Sequence, residues 1–517
     1  MLKKIRVVIA IACFVIIVLL FLDISGVLHK NFAFLAEIQF VPALLALNVI
    51  VLIVLIALTL VFGRIYCSTI CPMGVYQDIV AFFARRIKSK KARRYTYSVA
   101  KTVLRLIILT VFIVGVVAGI GIISALLDPY GASGRIVTEL LSPVYGAVNN
   151  LFVKIFGTQS YTFTPTEIWI KSLFSFILAV LTLLIIGYLA WRSGRTYCNT
   201  FCPVGTILGY LSKFSLLKIR IDPNTCTTCG RCTQDCKASC IDFKNHTVDY
   251  TRCVACYNCI ESCKDNSITY SLKRTPRKQP VGIVGVAPDN NSRRQFFITS
   301  LLMAATFTEL KSQEVKRSMI KFPAVRKDRY KRSVPVSPPG SISHDNLNNK
   351  CTACLLCVNQ CPDKIIRPSV NEYGWTAVMQ PTLSFERGYC RTDCTVCSDV
   401  CPTNAITKLT KENKTKVAMG NAVYVRENCV VVKDDVNCDA CWRICPTDAI
   451  SREYRDGGTP YIPPTDKPDA NTVNLRLVPV VDKNKCIGCG ACEYICPARP
   501  LTAIFVEGYE KHLAVNN

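Results

Sequence analysis

Apolar residues crowd the first 190 positions and thin out sharply after them. Four stretches, near 6–26, 42–62, 103–127 and 168–190, run about twenty residues with few charges, the length that crosses roughly 30 Å of hydrocarbon. They predict a membrane α-helical bundle of four spans. The first follows Lys3, Lys4 and Arg6 but has no small-residue cleavage site and precedes a second span closely, so it reads as an anchor. Trp169 and Trp191 bracket the fourth, as interfacial aromatics do. Beyond residue 205 the long apolar runs give way to short stretches punctuated by cysteine, glycine and proline, which predict small α+β domains.

Loop charge orients the bundle. Residues 63–101 hold nine Lys/Arg against one acid, Asp78, whereas the connection before span two carries only Lys30 and the one after span three only Arg135 and Lys154. The positive-inside bias therefore puts the N-terminus in the cytoplasm of a bacterial inner membrane. The overall charge of +26 and 30 cysteines against 4 histidines change the picture further. Six four-thiolate [4Fe–4S]²⁺ sites would each carry two negative charges and lower that total by about twelve. Much of the remaining excess flanks apolar segments, so it reads as topology and nucleic acid is excluded as a partner.

The phrase "GRIYCSTICPMG" at 63–74 returns as "GRTYCNTFCPVG" at 194–205, each time at the inner end of an even-numbered span. The bundle thus reads as a duplicated two-helix hairpin. Cysteines four apart share a helix face, and a pseudo-twofold would bring Cys67, Cys71, Cys198 and Cys202 onto one thiolate or redox site. Paired thiols or a docking surface are the other readings.

After span four, "CTTCGRCTQDC" and "CVACYNCIESC" repeat the C-x₂-C-x₂-C-x₃-C spacing of two-cluster ferredoxins. Three thiolates on a tight loop cap one cubane, and the fourth crosses to the other. This assigns Cys226, Cys229 and Cys232 with Cys263, and Cys253, Cys256 and Cys259 with Cys236. Zinc ribbons have no need of the third and fourth cysteines at fixed spacing, and a cytoplasmic disulfide framework is disfavoured. Lys237 and Lys264 replace the usual proline after the fourth cysteine, while Cys240 and Cys13 read as packing residues.

Four more runs follow: Cys351, Cys354, Cys357, Cys361; Cys390, Cys394, Cys397, Cys401; Cys429, Cys438, Cys441, Cys445; and Cys486, Cys489, Cys492, Cys496. They make four further cubanes and six in all. Spacing does not fix their pairing, though run one with run four, around two with three, is a natural nesting. No cysteine sits in a C-x-x-C-H word and no span carries a histidine, which excludes c-type haem and disfavours haem b. The organisation expected is a membrane domain over 1–205, a two-cluster ferredoxin-like domain over 206–280, a linker over 281–345 and a four-cluster domain over 346–517. Within the linker, Arg293–Arg294 in "NSRRQFFITS" resembles an internal twin-arginine export signal, which would carry the folded last domain to the periplasm.

The first 280 residues, with their spans, two "CxxxCP" words and two cubane runs, resemble the NapH-type membrane subunit of periplasmic nitrate reductase systems. Residues 291–517 resemble its NapG/MauM-type four-cluster ferredoxin partner. The resemblance implies a quinol dehydrogenase passing electrons from the quinone pool to a periplasmic reductase or c-type cytochrome. The "CxxxCP" word also occurs in NosR-like and CcoG-like proteins, so a membrane reductase serving metal or metalloenzyme maturation is the rival reading. For a quinol site, Asp128 in "LDPYGASGR", Arg135 and His29 are candidates by position and ionisability, with an Asp-Pro turn as the plainer role of Asp128.

Overall fold

The computed structural model describes residues 2–23, 26–88, 94–156, 168–272, 328, 330–454 and 477–515. These belong to one compact unit built from 1–273 and 327–517. The linker's Arg293–Arg294 lies outside the described residues.

Among the described residues the apolar half is mostly helical. Helices α1 (Leu2–Leu22), α2 (Val49–Phe62), α3 (Pro72–Ile87), α4 (Thr102–Val117), α5 (Pro129–Ile136), α6 (Ser142–Phe156), α7 (Leu173–Ser193) and α8 (Pro203–Ser212) follow one another, with a π-turn joining α5 to α6. Among the described residues three helical stretches are long and apolar enough to cross a membrane, namely α1, the α5–α6 stretch Pro129–Ile155, and α7. This corrects the expectation of four continuous spans. The second expected span is broken between Phe40–Leu45 and α2, where Leu47 takes φ 54 and Asn48 Oδ1 accepts from the Val51 N–H. The third is broken at Gly119, at φ +67, between α4 and Gly121–Leu127. At 14 and 16 residues, α2 and α4 extend about 21 and 24 Å, short of the hydrocarbon thickness. The Pro129–Ile155 stretch escapes the sequence pattern because Asp128-Pro129 reads as a turn, whereas here Asp128 caps a helix that Pro129 opens.

Two ferredoxin-like regions pack at opposite ends of the bundle. At the N-terminal end of α1, Lys3 pairs with Glu261 of the first. At the other end, the carbonyls of Leu20 and Phe21 accept hydrogen bonds from Gln360 at 2.9 and 3.2 Å. Helix α4 repeats the arrangement: Arg105 donates to Thr251 Oγ1 at 3.0 Å near its start, and Asn348 donates to the Gly119 carbonyl at 2.5 Å beyond its end. The 21 residues of α1 separate these contacts by about 31 Å.

Each pair of cysteine runs is enclosed by antiparallel strands. β1 (Leu217–Ile221) pairs with β2 (Ile268–Leu272) around the first two runs, with Ile219 opposite Tyr270. In the last domain a hairpin, β3 (Ile366–Pro368) with β4 (Pro381–Leu383), lies between runs one and two. β5 (Val417–Tyr424) pairs with β8 (Ile504–Ala514) around runs three and four. Between those two runs β6 (Ile450–Tyr454) pairs with β7 (Leu477–Val481). Consecutive runs therefore share a core, and the nested order is corrected: run one pairs with two, and three with four.

Candidate functional site

The regular cysteine loops share one backbone shape. In C-x₂-C-x₂-C each has two left-handed residues, one before and one after the second cysteine. They are Thr228 and Gly230, Ala255 and Tyr257, Ala353 and Leu355, and Gly488 and Gly490. Five of these eight are not glycine, so the conformation is held at a steric cost. A chain curled this way turns successive N–H groups inward, the shape that cradles an anionic centre. Ala353 N–H lies 3.3 Å from Cys351 Sγ, Ala422 N–H 3.4 Å from Cys486 Sγ, and Ala503 N–H 3.3 Å from Cys496 Sγ.

The fourth cysteine of each run crosses to its neighbour. Cys351, Cys354, Cys357 and Cys401 line one cavity, Cys390, Cys394, Cys397 and Cys361 a second, and Cys486, Cys489, Cys492 and Cys445 a third. Cys429, Cys438, Cys441 and Cys496 share the remaining core and sense one another's charge. In the first ferredoxin region Cys259 faces Cys253, Cys256 and Cys236, and Cys226, Cys232 and Cys263 pack in the same core. Burial pushes the Cys354 and Cys489 thiols up to about 12 and the Cys361 thiol up to about 11. Binding a cluster at these three positions displaces their protons. Four cysteines to a cavity is the donor set of a [4Fe–4S] site. Cys240 is not mere packing: its sulfur lies 3.5 Å from that of Cys236, whose thiol is lowered to about 7 chiefly by this hydrogen bond.

The repeated phrases meet at the centre of the bundle. Gly63 and Gly194, at φ +74 and +70, turn the chain sharply at the ends of α2 and α7. Pro72 and Pro203 open α3 and α8 immediately after Cys71 and Cys202. Cys67, Cys71, Cys198 and Cys202 are all buried in one core together with Tyr66, Tyr197, Val254 and Cys256. The arginines cross over between the halves. Arg64 donates to the Cys198 carbonyl at 3.2 Å and lies 3.9 Å from Cys67 Sγ. Arg195 donates to the Cys67 carbonyl at 2.6 Å and lies 4.0 Å from Cys198 Sγ. A Cβ on Gly74 would come within 2.2 Å of the Cys67 carbonyl, and one on Gly205 within 2.1 Å of that of Cys198. The glycines, arginines and proline of GRxYCxxxCPxG thus each have a structural task beside the cysteines.

Asp78 anchors this centre. Its carboxylate meets Arg195 at 2.6 Å, Lys237 at 2.5 Å and Arg6 at 3.0 Å. Burial opposes its ionisation, but the Arg195, Lys237 and Arg6 cations outweigh that and hold the carboxyl well below its ordinary range. Lys237, which stands where ferredoxins carry proline, therefore ties the Cys236 loop to the bundle. A cavity of about 550 Å³ opens beside this cluster, walled by Val7, Ala10, Ile79 and Phe82.

On the other side, α5 joins the centre to the last domain. Gly131 and Gly134 allow close approach, since a Cβ would fall within 2.6 Å of the Thr352 carbonyl and 2.4 Å of the Cys354 carbonyl. Arg135 donates to the Ala353 carbonyl at 3.2 Å. Asp128 accepts from the N–H groups of Tyr130 and Gly131 at 3.0 and 2.8 Å, a helix-capping role. His29 is buried elsewhere, its N–H bonded to Asp23. Asp128 and Arg135 thus stand together at the first loop of the last domain.

Comparison with known proteins follows the same divisions. A 4Fe-4S binding domain model matches residues 44–91 and again 173–222, one copy for each repeated phrase. Models described as 4Fe-4S dicluster domains match 350–406 and 436–499, which enclose runs one with two and run three (from Cys438) with four. The methylamine utilization ferredoxin-type protein MauM of Methylophilus methylotrophus is 33% identical over 182 residues, 34% of this chain and 71% of its own length. MauM of Methylobacillus flagellatus is 33% identical over 165 residues, 31% of this chain and 62% of its own. The putative electron transport protein YccM of Escherichia coli is 24% identical over 216 residues, 42% of this chain and 52% of its own. The chain thus spans between about half and seven-tenths of the length of these relatives. No solved structure matches.

Proposed function

This chain belongs to the ferredoxin-type protein family of MauM, and on that premise we propose that it is a membrane-bound quinol dehydrogenase, delivering electrons to a reductase or c-type cytochrome across the bilayer. As an iron–sulfur electron-transfer protein it needs sites that accept one electron at a time, which [4Fe–4S] clusters supply when bound. The observation that carries the reading is the placement of the quartets. Two lie at the N-terminal end of α1 and four beyond its C-terminal end. The arrangement is what transfer across a membrane requires and what a purely cytoplasmic scaffold does not. Positive-inside charge puts the first pair in the cytoplasm and the last four outside.

The cavity beside Asp78 suits a quinol head group. It is apolar on the side of α1, offers Arg6, Asp78 and Lys237 as polar contacts, and falls in the volume range of small-molecule sites. Asp78 accepts a hydrogen bond from one quinol hydroxyl, and Lys237 donates to the oxygen as it becomes a carbonyl. Two electrons leave singly toward the adjoining Cys236 loop, and two protons pass to water at the cavity mouth. This reading assigns the docking role to Asp78 rather than to Asp128, which caps α5. The test fills the cavity with Ala10→Trp. Reduction by a menaquinol analogue should fall at least tenfold while dithionite reduction of the same clusters is unchanged; unaltered quinol kinetics would remove this docking site. The maturation reading predicts instead no reduction by any quinol.

A further inference from the structure

Arg64 is fully buried and forms no ion pair with a carboxylate among the described residues. It donates to Asn199 Oδ1 at 2.9 Å and to the Thr251 carbonyl at 3.0 Å, leaving Nε without a partner. Arg195 is equally buried, shares Asp78 with two other cations, and has an unpartnered Nη2. Gln77 donates to Cys198 Sγ at 3.0 Å and the Gly205 N–H to Cys202 Sγ at 3.3 Å. Buried cations without counter-charge are costly, so this centre calls for negative charge. The four sulfurs among these donors are the groups able to supply it.

We infer that Cys67, Cys71, Cys198 and Cys202 together hold one further iron–sulfur cluster, shared across the internal twofold, that relays single electrons between the first ferredoxin region and the Cys351 loop. Each phrase supplies only two cysteines, so neither half can hold a four-thiolate cluster alone. Four thiolates on a [4Fe–4S]²⁺ or [2Fe–2S]²⁺ core carry a net charge of about −2, which Arg64 and Arg195 balance. The location also fits a relay. Cys256 and Val254 share the core of this site on one side. On the other, Ala132 of α5 shares the same core, and its neighbours Gly131 and Gly134 lie against the Thr352 and Cys354 carbonyls. One electron enters from the Cys253, Cys256, Cys259, Cys236 site and one leaves toward the Cys351, Cys354, Cys357, Cys401 site, with no bond made or broken. The inference rests on the electron-carrier reading but not on quinol as the donor.

Iron and acid-labile sulfide, with Mössbauer and EPR spectra, on the anaerobically purified full chain test it. Six cubanes account for about 24 irons; the wild type should exceed this by two or four. Cys71→Ser with Cys202→Ser should remove that increment and one spectral component. Arg64→Gln should retain the iron but lower the midpoint potential of that component alone. Wild-type iron at the six-cubane level, with these four cysteines alkylated as free thiols or recovered as disulfides, would overturn it. That result needs no folded variant, and would leave quinol reduction of the other clusters to be judged separately.

Discussion

Asp78 is a single carboxylate facing three cations at the joint between bundle and first ferredoxin region. Its replacement by Asn should cost about 3–5 kcal/mol, since it strands buried charge, and a thermal unfolding series in detergent checks this. Because the folded carboxyl titrates below its unfolded value, the stability it confers is full above the ordinary carboxylate pKa of about 4. It is lost as pH falls below that value. The Asn variant should therefore show a flatter acid limb between roughly pH 4 and 2; an acid limb as steep as the wild type's would deny Asp78 this role. At this scale the sequence singled out the cysteine quartets that the structure gathers, because their spacing is set by the geometry of a tight loop. It did not make Asp78 or Arg64 legible, because a charge in a basic loop looks the same whether solvated or buried.

At the scale of elements, the strand pairings make consecutive runs exchange their fourth cysteines. Cys354 and Cys401 then belong to one site, and Cys361 to another. Cys354→Ser with Cys401→Ser should lose about four irons, and Cys354→Ser with Cys361→Ser about eight. If each run kept its own four cysteines, the two results would be exchanged. The α+β character of these regions was legible from cysteine and turn spacing, whereas the partner of each run depended on strands as short as β3, three residues long. The apolar pattern located the membrane half but misjudged its continuity. Asn48 and Gly119 interrupt two apolar runs through backbone geometry, which a hydropathy pattern does not register. The Pro129–Ile155 stretch was overlooked because its first turns, "PYGASGR", hold small residues that bring α5 against the Cys354 loop.

Taken whole, the molecule places cysteine quartets at both ends of a helical bundle, with a third group of thiols between them. The repeated phrase explains how the middle is built: two hairpins exchange arginines across a twofold, so neither half is complete without the other. The measurement that tests this account most directly is anaerobic reduction of the purified full chain by a menaquinol analogue, followed by EPR. The account predicts reduced-cluster signals that include those lost in Cys354→Ser, since that site lies beyond the far end of α1. Clusters that dithionite reduces but no quinol does, at any ratio of quinol to quinone, would contradict it.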